Sequence, residues 1–371
     1  MNEPRDQDFS LNAWLLRRRL DGKLLALLLL TCGLGLAVLY SASGQNMAVM
    51  VSQLTRLGIG FAAMIVLAQF PPAWIRTLAP WAFLGITILL VLVLILGDDA
   101  KGAQRWLDLK VVRFQPSEFM KLAMPIAIAA YLHKRPSPVR FRDLIAASIL
   151  IVIPTLLVAR QPDLGTSLLI ACAGAFVLYL GGLRWRLMIS LGIGAAACLP
   201  LLWFNMHAYQ QERVLTFINP ARDPAGAGYH ITQSKIAIGS GGLFGKGWLN
   251  GTQAKLNFLP ESDTDFIFAV FAEEAGLVGV FLLLALYLLI VLRGMAIAYY
   301  SQNHFQRLLA GSISLTFFVY VFVNIGMVIG ILPVVGVPLP LISFGGTSMV
   351  MLLASFGILM SINSHRKLLS D

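Results

Sequence analysis

Apolar and polar positions alternate along this chain in long blocks rather than at short periods. Apolar runs cover 24–40, 54–70, 78–97, 118–132, 144–159, 164–182, 187–204, 266–292, 308–330 and 341–363, with short polar segments between most of them. A helix rises about 1.5 Å per residue, so roughly 20 apolar residues cross the hydrocarbon of a bilayer. The pattern predicts an all-α polytopic membrane protein of about ten transmembrane helices. It divides the chain into an N-terminal tail (1–23), a single membrane domain (24–363) and a C-terminal tail (364–371). One long polar interruption, 205–264, separates helices 7 and 8.

Composition agrees: 58% of the residues are hydrophobic and 12% charged, against about 25% charged in soluble domains. The net charge of +10 does not signal a nucleic-acid partner, because much of the Lys and Arg sits in short loops between apolar runs. That distribution sets topology instead. Arg17-Arg18-Arg19 before the first run places the N-terminus in the cytoplasm. Alternation then puts the basic loops 133–142 and 184–186 and the C-terminal tail inside, and 44–50, 98–117 and 205–264 outside. The first run, followed by Ser41-Ala42-Ser43, has some likeness to a signal peptide. It is longer than the usual hydrophobic region of about 7–15 residues, and an uncleaved first helix is the favoured reading. Cys32, Cys172 and Cys198 all lie within apolar runs and offer neither metal spacing nor a disulfide framework.

Charges on the outer side are not explained by topology. Asp265 is the last ionisable group before the run 266–292, where a carboxylate is costly without partners or a task. Gln115-Pro116-Ser117-Glu118 opens another helix, with Pro116 suited to its first turn. Glu118 and Lys121, three apart, share a face and can pair. Arg160-Gln161-Pro162-Asp163 opens a third, and Arg105 and Trp106 precede the second. Arg105, Glu118, Lys121, Arg160, Asp163 and Asp265 are thus expected near one depth on one side. Each has an ordinary reading: Asp163 and Asp265 as acids favoured at helix N-termini, Glu118 with Lys121 as a structural pair. Together they make a pocket with cations for a phosphate-bearing ligand and a carboxylate for proton transfer. Glu273 lies about 80° around the helix from Asp265 and Glu274 on the opposite face, so both read as buried, bonded structural groups.

Within the long loop, 229–238 reads as a short amphipathic helix suited to the membrane interface. The glycine-rich 239–247 approaches a phosphate-loop pattern but fails it, with Ser240 at the first glycine position and Gly247 where Ser or Thr belongs. Its glycines suit tight turns near a ligand or a neighbouring helix. Prolines 125, 154, 162, 200, 338 and 340 read mainly as kinks.

Several of these stretches resemble the SEDS family (shape, elongation, division and sporulation). They are Lys101-Gly102-Ala103-Gln104-Arg105-Trp106-Leu107, Phe114-Gln115-Pro116-Ser117-Glu118, Gln161-Pro162-Asp163-Leu164-Gly165-Thr166, Thr264-Asp265-Phe266-Ile267-Phe268-Ala269, the 239–247 segment and Pro338-Leu339-Pro340-Leu341-Ile342-Ser343-Phe344-Gly345-Gly346. The resemblance covers nearly the whole chain and leans toward the rod-shape elongation branch rather than the division branch. It implies a ten-helix peptidoglycan glycosyltransferase of the bacterial inner membrane that polymerises lipid II. It implies as partners a class B penicillin-binding protein supplying transpeptidation and other elongation-complex proteins. The family's essential aspartate falls on Asp265, with Arg105, Glu118, Lys121 and Asp163 matching its other charged positions. One departure stands out: Asp263 occupies a position that is often His in the family, which makes the surroundings of Asp265 more negative.

The expected reaction is an inverting transfer with undecaprenyl pyrophosphate leaving. Asp265 would be the base; Arg105 and Lys121 would stabilise the pyrophosphate; Glu118 and Asp163 would orient those cations or hold a divalent ion. No cofactor is fixed by spacing, and magnesium or manganese is left open. Two rival readings are a lipid II flippase, whose intramembrane charges and broken helices would look alike, and a non-catalytic scaffold of the elongation complex.

Overall fold

The computed structural model describes residues 19–100, 103–108, 113–183, 185–197, 203–204, 208–219, 222–223, 226–256, 258–259 and 261–365. The tail 1–18, Lys101, Gly102, Arg184, Cys198, Pro200, Arg366 and Lys367 lie outside the described residues. Each of the ten predicted runs contains a helix: α1 (Gly22–Ala42), α2 (Met47–Gln69), α3 (Pro72–Leu96), α4 (Pro116–Leu132), α5 (Phe141–Arg160), α6 (Leu164–Leu180), α7 (Trp185–Ala197), then α11 (Ile267–Tyr299), α12 (His304–Val328) and α13 (Thr347–Ser364). Among the described residues, seven are long and apolar enough to cross a membrane. The other three, α4, α6 and α7, have 17, 17 and 13 residues. The architecture is that of a multi-pass membrane protein. The interval 98–114, expected as loop, instead holds a small antiparallel sheet of β1 (Asp98–Ala100), β2 (Ala103–Asp108) and β3 (Arg113–Phe114), in the order β1-β2-β3.

Local chemistry fixes the helix ends. Asp21, Asn46 and Asp163 accept from the first-turn amides of α1, α2 and α6. Pro72 and Pro116 occupy first-turn positions where a missing N–H costs nothing. The last helix starts at Thr347, not near 341, because Pro338, Pro340 and the Gly345-Gly346 pair hold 341–346 out of helical geometry.

The core lies along α4, α6, α12, α13 and the first turns of α11; Met120, Met124, Ile128, Phe317 and Phe356 are fully enclosed. Helices α2 and α3 turn most of their surface outward, with Trp74, Trp81 and Ile95 exposed, as lipid-facing helices do.

Residues 205–264 are organised by helices α8 (Ala208–Ile218), α9 (Ala227–Ser240) and the one-turn α10 (Thr252–Lys255). The predicted amphipathic helix is α9. Its Ile231, Ser234 and Ala237 face the bundle, and Ser234 Oγ donates to Val328 O at 2.7 Å.

The glycine-rich segment has a structural partner. Helix α11 breaks at Gly276, whose φ is 66°. The amides of Lys246 and Gly247 donate to the carbonyls of Glu273 and Glu274, and those of Leu277 and Val278 donate to Gly242 and Leu243. A broken helix in a membrane protein needs such substitute partners for its freed groups. A Cβ at Gly245 or Gly276 would overlap the facing backbone. Glu273 is fully buried and takes Lys246 Nζ at 2.6 Å, with Thr252 N and Oγ1; Glu274 accepts from Ser41. Both acids are bonded structural groups, as expected.

Candidate functional site

One end of the bundle gathers the start of α4, α6, α11 and α13 with the end of α12. A cavity of about 1560 Å³, counting space open to solvent, lies between them. Arg105, Glu118, Asp163 and Asp265 all line it. Four charged positions separated widely in sequence therefore meet at one hollow. Lys121 stands one layer behind, in an adjoining groove. Arg160 does not join them: it is the last residue of α5, is exposed, and is absent from the cavity wall. It closes α5 instead of opening α6, and the helix turns it outward.

Asp265 sits just before α11, on a backbone held by three consecutive carbonyls. Asp263 O accepts from Phe344 N at 2.8 Å, Thr264 O from Ser343 Oγ at 2.6 Å, and Asp265 O from Asn324 Nδ2 at 3.0 Å. Asn324, fully buried, also donates to Val337 O at 2.7 Å. One carboxamide thereby ties the Asp265 wall to the 336–337 wall. Gly336 faces Asp265 Oδ2; a Cβ there would come within 3.5 Å. The preceding turn holds Glu261 at φ 56°, a left-handed conformation rare for a residue with a side chain.

Arg105 reaches in from β2. Its Nε donates to Gln161 O at 3.3 Å and its Nη2 to Pro162 O. Asp163 is doubly used: Oδ1 accepts from Thr166 N at 3.2 Å and Oδ2 from Gln115 Nε2 at 2.8 Å. Lys121 Nζ lies 2.7 Å from both Glu118 carboxylate oxygens and donates to Tyr320 Oη at 2.5 Å. Tyr320 continues to Ser348 Oγ at 3.0 Å. A buried ammonium is tolerated here because carboxylate and phenol surround it.

Glu118, Tyr320 and Ser348 also line a second space, a groove of about 480 Å³ whose other walls include Pro125, Ile313, Phe317 and Leu352. The polar cavity thus shares a wall with an apolar groove between α4, α12 and α13.

A magnesium or manganese ion does not fit the acids as placed. Both oxygens of Asp163 accept protein hydrogen bonds, Glu118 is ion-paired with Lys121 with its Oε2 outside any hydrogen bond, and among the described residues no three of His, Cys, Asp and Glu cluster at metal-holding distance. These two acids suit the orientation of protein groups instead.

Sequence reasoning missed Arg213, His230, Tyr320 and Asn324. Arg213, from α8, lines the cavity and donates to Val334 O at 3.1 Å. His230, from α9, stacks on Phe266 with centroids 5.6 Å apart. Burial pushes its pKa below the ordinary value, against the opposing pull of Glu261 and Asp223. Only Asn324, a lone carboxamide inside an apolar run, carried a signal that could have been read.

Known proteins share both the sequence and the architecture. The family model of the FtsW/RodA/SpoVE cell cycle proteins matches residues 22–368. The peptidoglycan glycosyltransferase MrdB of Escherichia coli K12 is 54% identical over 352 residues, covering 95% of both chains. A probable peptidoglycan glycosyltransferase FtsW of Thiomicrospira cyclica is 36% identical over 376 residues, covering 96% of this chain and 95% of its own. Among solved structures, a chain of a peptidoglycan synthase complex that coordinates polymerization and crosslinking aligns with a TM-score of 0.82 and 31% identity, covering 94% of this chain and 99% of that one. The rod shape determining protein RodA of Thermus thermophilus aligns with a TM-score of 0.72 and 29% identity, covering 94% and 98%. This chain belongs to the FtsW/RodA/SpoVE family of cell cycle proteins, the SEDS family that its motifs resemble.

Proposed function

We propose that this protein is a peptidoglycan glycosyltransferase of cell elongation that polymerises lipid II, with Asp265 as the base. The observation that carries the reading is the meeting of Asp265 with Arg105, Arg213, Glu118 and Asp163 around one cavity that adjoins an apolar groove. A lipid-linked sugar pyrophosphate has three chemical parts: a neutral saccharide, a doubly charged linker and a long apolar tail. The cavity offers a carboxylate, polar walls and cations, and an apolar groove shares its Glu118, Tyr320 and Ser348 wall.

In the reaction, the 4-hydroxyl of an acceptor sugar attacks the anomeric carbon of the donor. The new C–O bond forms as the bond to pyrophosphate breaks, and the hydroxyl proton passes to Asp265. Displacement from the opposite face converts an α-linked donor into a β-1,4 product, so a single carboxylate suffices and no covalent intermediate is required. Arg105 and Arg213 stabilise charge developing on undecaprenyl pyrophosphate. Lys121, screened by Glu118 and Tyr320, adds positive potential where the cavity meets the groove. Asn324 and Ser343 hold the Asp265 backbone still, which is what a base must have to meet its hydroxyl productively. The cavity end faces the periplasm, both termini lie in the cytoplasm, and a class B penicillin-binding protein acts on the emerging strand.

A flippase would need its polar site near the bilayer midplane, whereas this cavity sits at the helix ends. Vesicles containing the purified protein and lipid II separate the readings. Glycan polymer from the wild type, absent with Asp265→Asn, is the expected result. Lipid movement across the bilayer with no polymer would establish transport instead.

A further inference from the structure

A second hollow opens at the same end of the bundle, on the far side of the 261–265 segment. We infer that it is a saccharide subsite, holding the sugars of the growing strand behind the reacting end; the inference rests on the glycosyltransferase reading. The hollow measures about 510 Å³, within the range of pockets that hold small ligands. Ser43, Gln45 and Asn46 of the α1–α2 turn, Lys255 at the end of α10, and Ser262 and Asp263 supply its polar wall. Ser262 and Asp263 line this hollow while Thr264 and Asp265 line the catalytic cavity. The partition is one chain segment thick, and the carbonyl bonds to Phe344, Ser343 and Asn324 hold it in place.

The lining chemistry selects the ligand class. Among the described lining residues, two carboxamides stand beside one ammonium and one carboxylate, and three serine hydroxyls, each donating to a protein acceptor, keep lone pairs for a ligand donor. A pyrophosphate would call for excess cation, and a polyprenyl tail for apolar walls. A chain of N-acetylated sugars presents hydroxyls and amides at close spacing and matches this inventory. The side chains of Gln45, Lys255 and Asp263 engage no partner among the described residues, so their hydrogen-bonding groups are available to a ligand. Gln45 holds its place at the rim although its φ of 64° favours glycine. After each transfer the product sugar must clear the carboxylate without leaving the enzyme, and a polar hollow one segment away receives it.

The test uses the full chain in detergent with lipid II, reading both the initial rate of the first glycosidic bond and the length distribution of the glycan. The Gln45→Ala/Lys255→Ala double variant removes ligand groups, and Ser43→Trp fills the space. Both are expected to keep the first-bond rate within about twofold while mean strand length falls by about threefold or more. Unchanged strand length in both variants would overturn the subsite, as would a first-bond rate that falls in step with length. Polymer surviving in Asp265→Asn would instead strike the glycosyltransferase reading, so the two failures are distinguishable.

Discussion

Asn324 shows how a single uncharged residue can hold the backbone of the proposed base, Asp265. Its two N–H groups bind Asp265 O and Val337 O. Asn324→Ala leaves both carbonyls without that donor, a buried loss of about 1–3 kcal/mol each, and frees the Asp265 backbone. We expect a lower melting temperature and a turnover reduced by about tenfold or more, since small misplacements of a reacting group are costly. Wild-type turnover in that variant would remove Asn324 from the account. His230 gives a pH signature. Burial lowers its folded pKa, so the unfolded chain binds the proton more readily. Its contribution to stability is present above the unfolded value of about 6.5 and is lost as pH falls through the folded pKa. His230→Phe, which keeps a ring on Phe266, should lessen the drop in melting temperature on acidification below that range. An identical drop would assign it to other groups. At this scale the sequence was informative at several charges bordering hydrocarbon, Glu118, Asp163 and Asp265 at the cavity and Lys121 beside it, because few cheap alternatives exist there, though not at Arg160. Arg213 and Tyr320 were illegible, being ordinary side chains until packing aims them at the cavity.

Among the elements, α11 and the glycine-rich segment act as one unit. The helix break at Gly276 and the loop 242–247 exchange backbone hydrogen bonds that neither makes alone. Gly245, at φ 76°, lies against the backbone of Glu274 and Ala275. Gly245→Ala should cost about 1–2 kcal/mol in backbone conformation and more through the forced separation of the two segments. Gly239, on α9, has open space where a Cβ would stand, with nothing within 4 Å, and should accept alanine without loss. Thermal melts of the two variants check the contrast, and equal stability would mean the interlock is dispensable. Glycine spacing announced tight turns and a nearby element, but not which one, because pairing between 242–247 and 273–278 follows from tertiary packing. Helix starts were legible to within a few residues where a cap or proline marks them, at Pro116 and Asp163. They were not legible at α13, where the run of apolar residues continues through non-helical backbone. The sheet at 98–114 escaped notice because its strands are too short for a period to emerge.

For the molecule as a whole, the two ends differ in chemistry. The end opposite the cavity is clamped by ion pairs, Asp21 with Arg293 and Arg135 with Asp143, and carries Arg76, Lys134, Arg140, Arg186 and Arg307 in or beside its short turns. That asymmetry supports a cytoplasmic position for the clamped end. Gly44→Cys, in the exposed α1–α2 turn at the cavity end, should react with a membrane-impermeant thiol reagent added outside intact cells, and Lys134→Cys only after permeabilisation. The reverse pattern would invert the topology. The multi-pass helical architecture was plain in the sequence, since hydrocarbon enforces length and composition, and seven helices among the described residues are long and apolar enough to cross a membrane. The meeting of Arg105, Glu118, Asp163 and Asp265 at one cavity was legible from their shared depth, whereas the outward turn of Arg160 was not, since the rotation of each helix depends on its neighbours. The central claim, that Asp265 is the base of a transfer carried out in this cavity, is tested most directly by single-turnover polymerisation of lipid II with purified wild type and Asp265→Asn of matched melting temperature. The account predicts a fall in rate of about 10²-fold or more, and a variant that polymerises at the wild-type rate would contradict it.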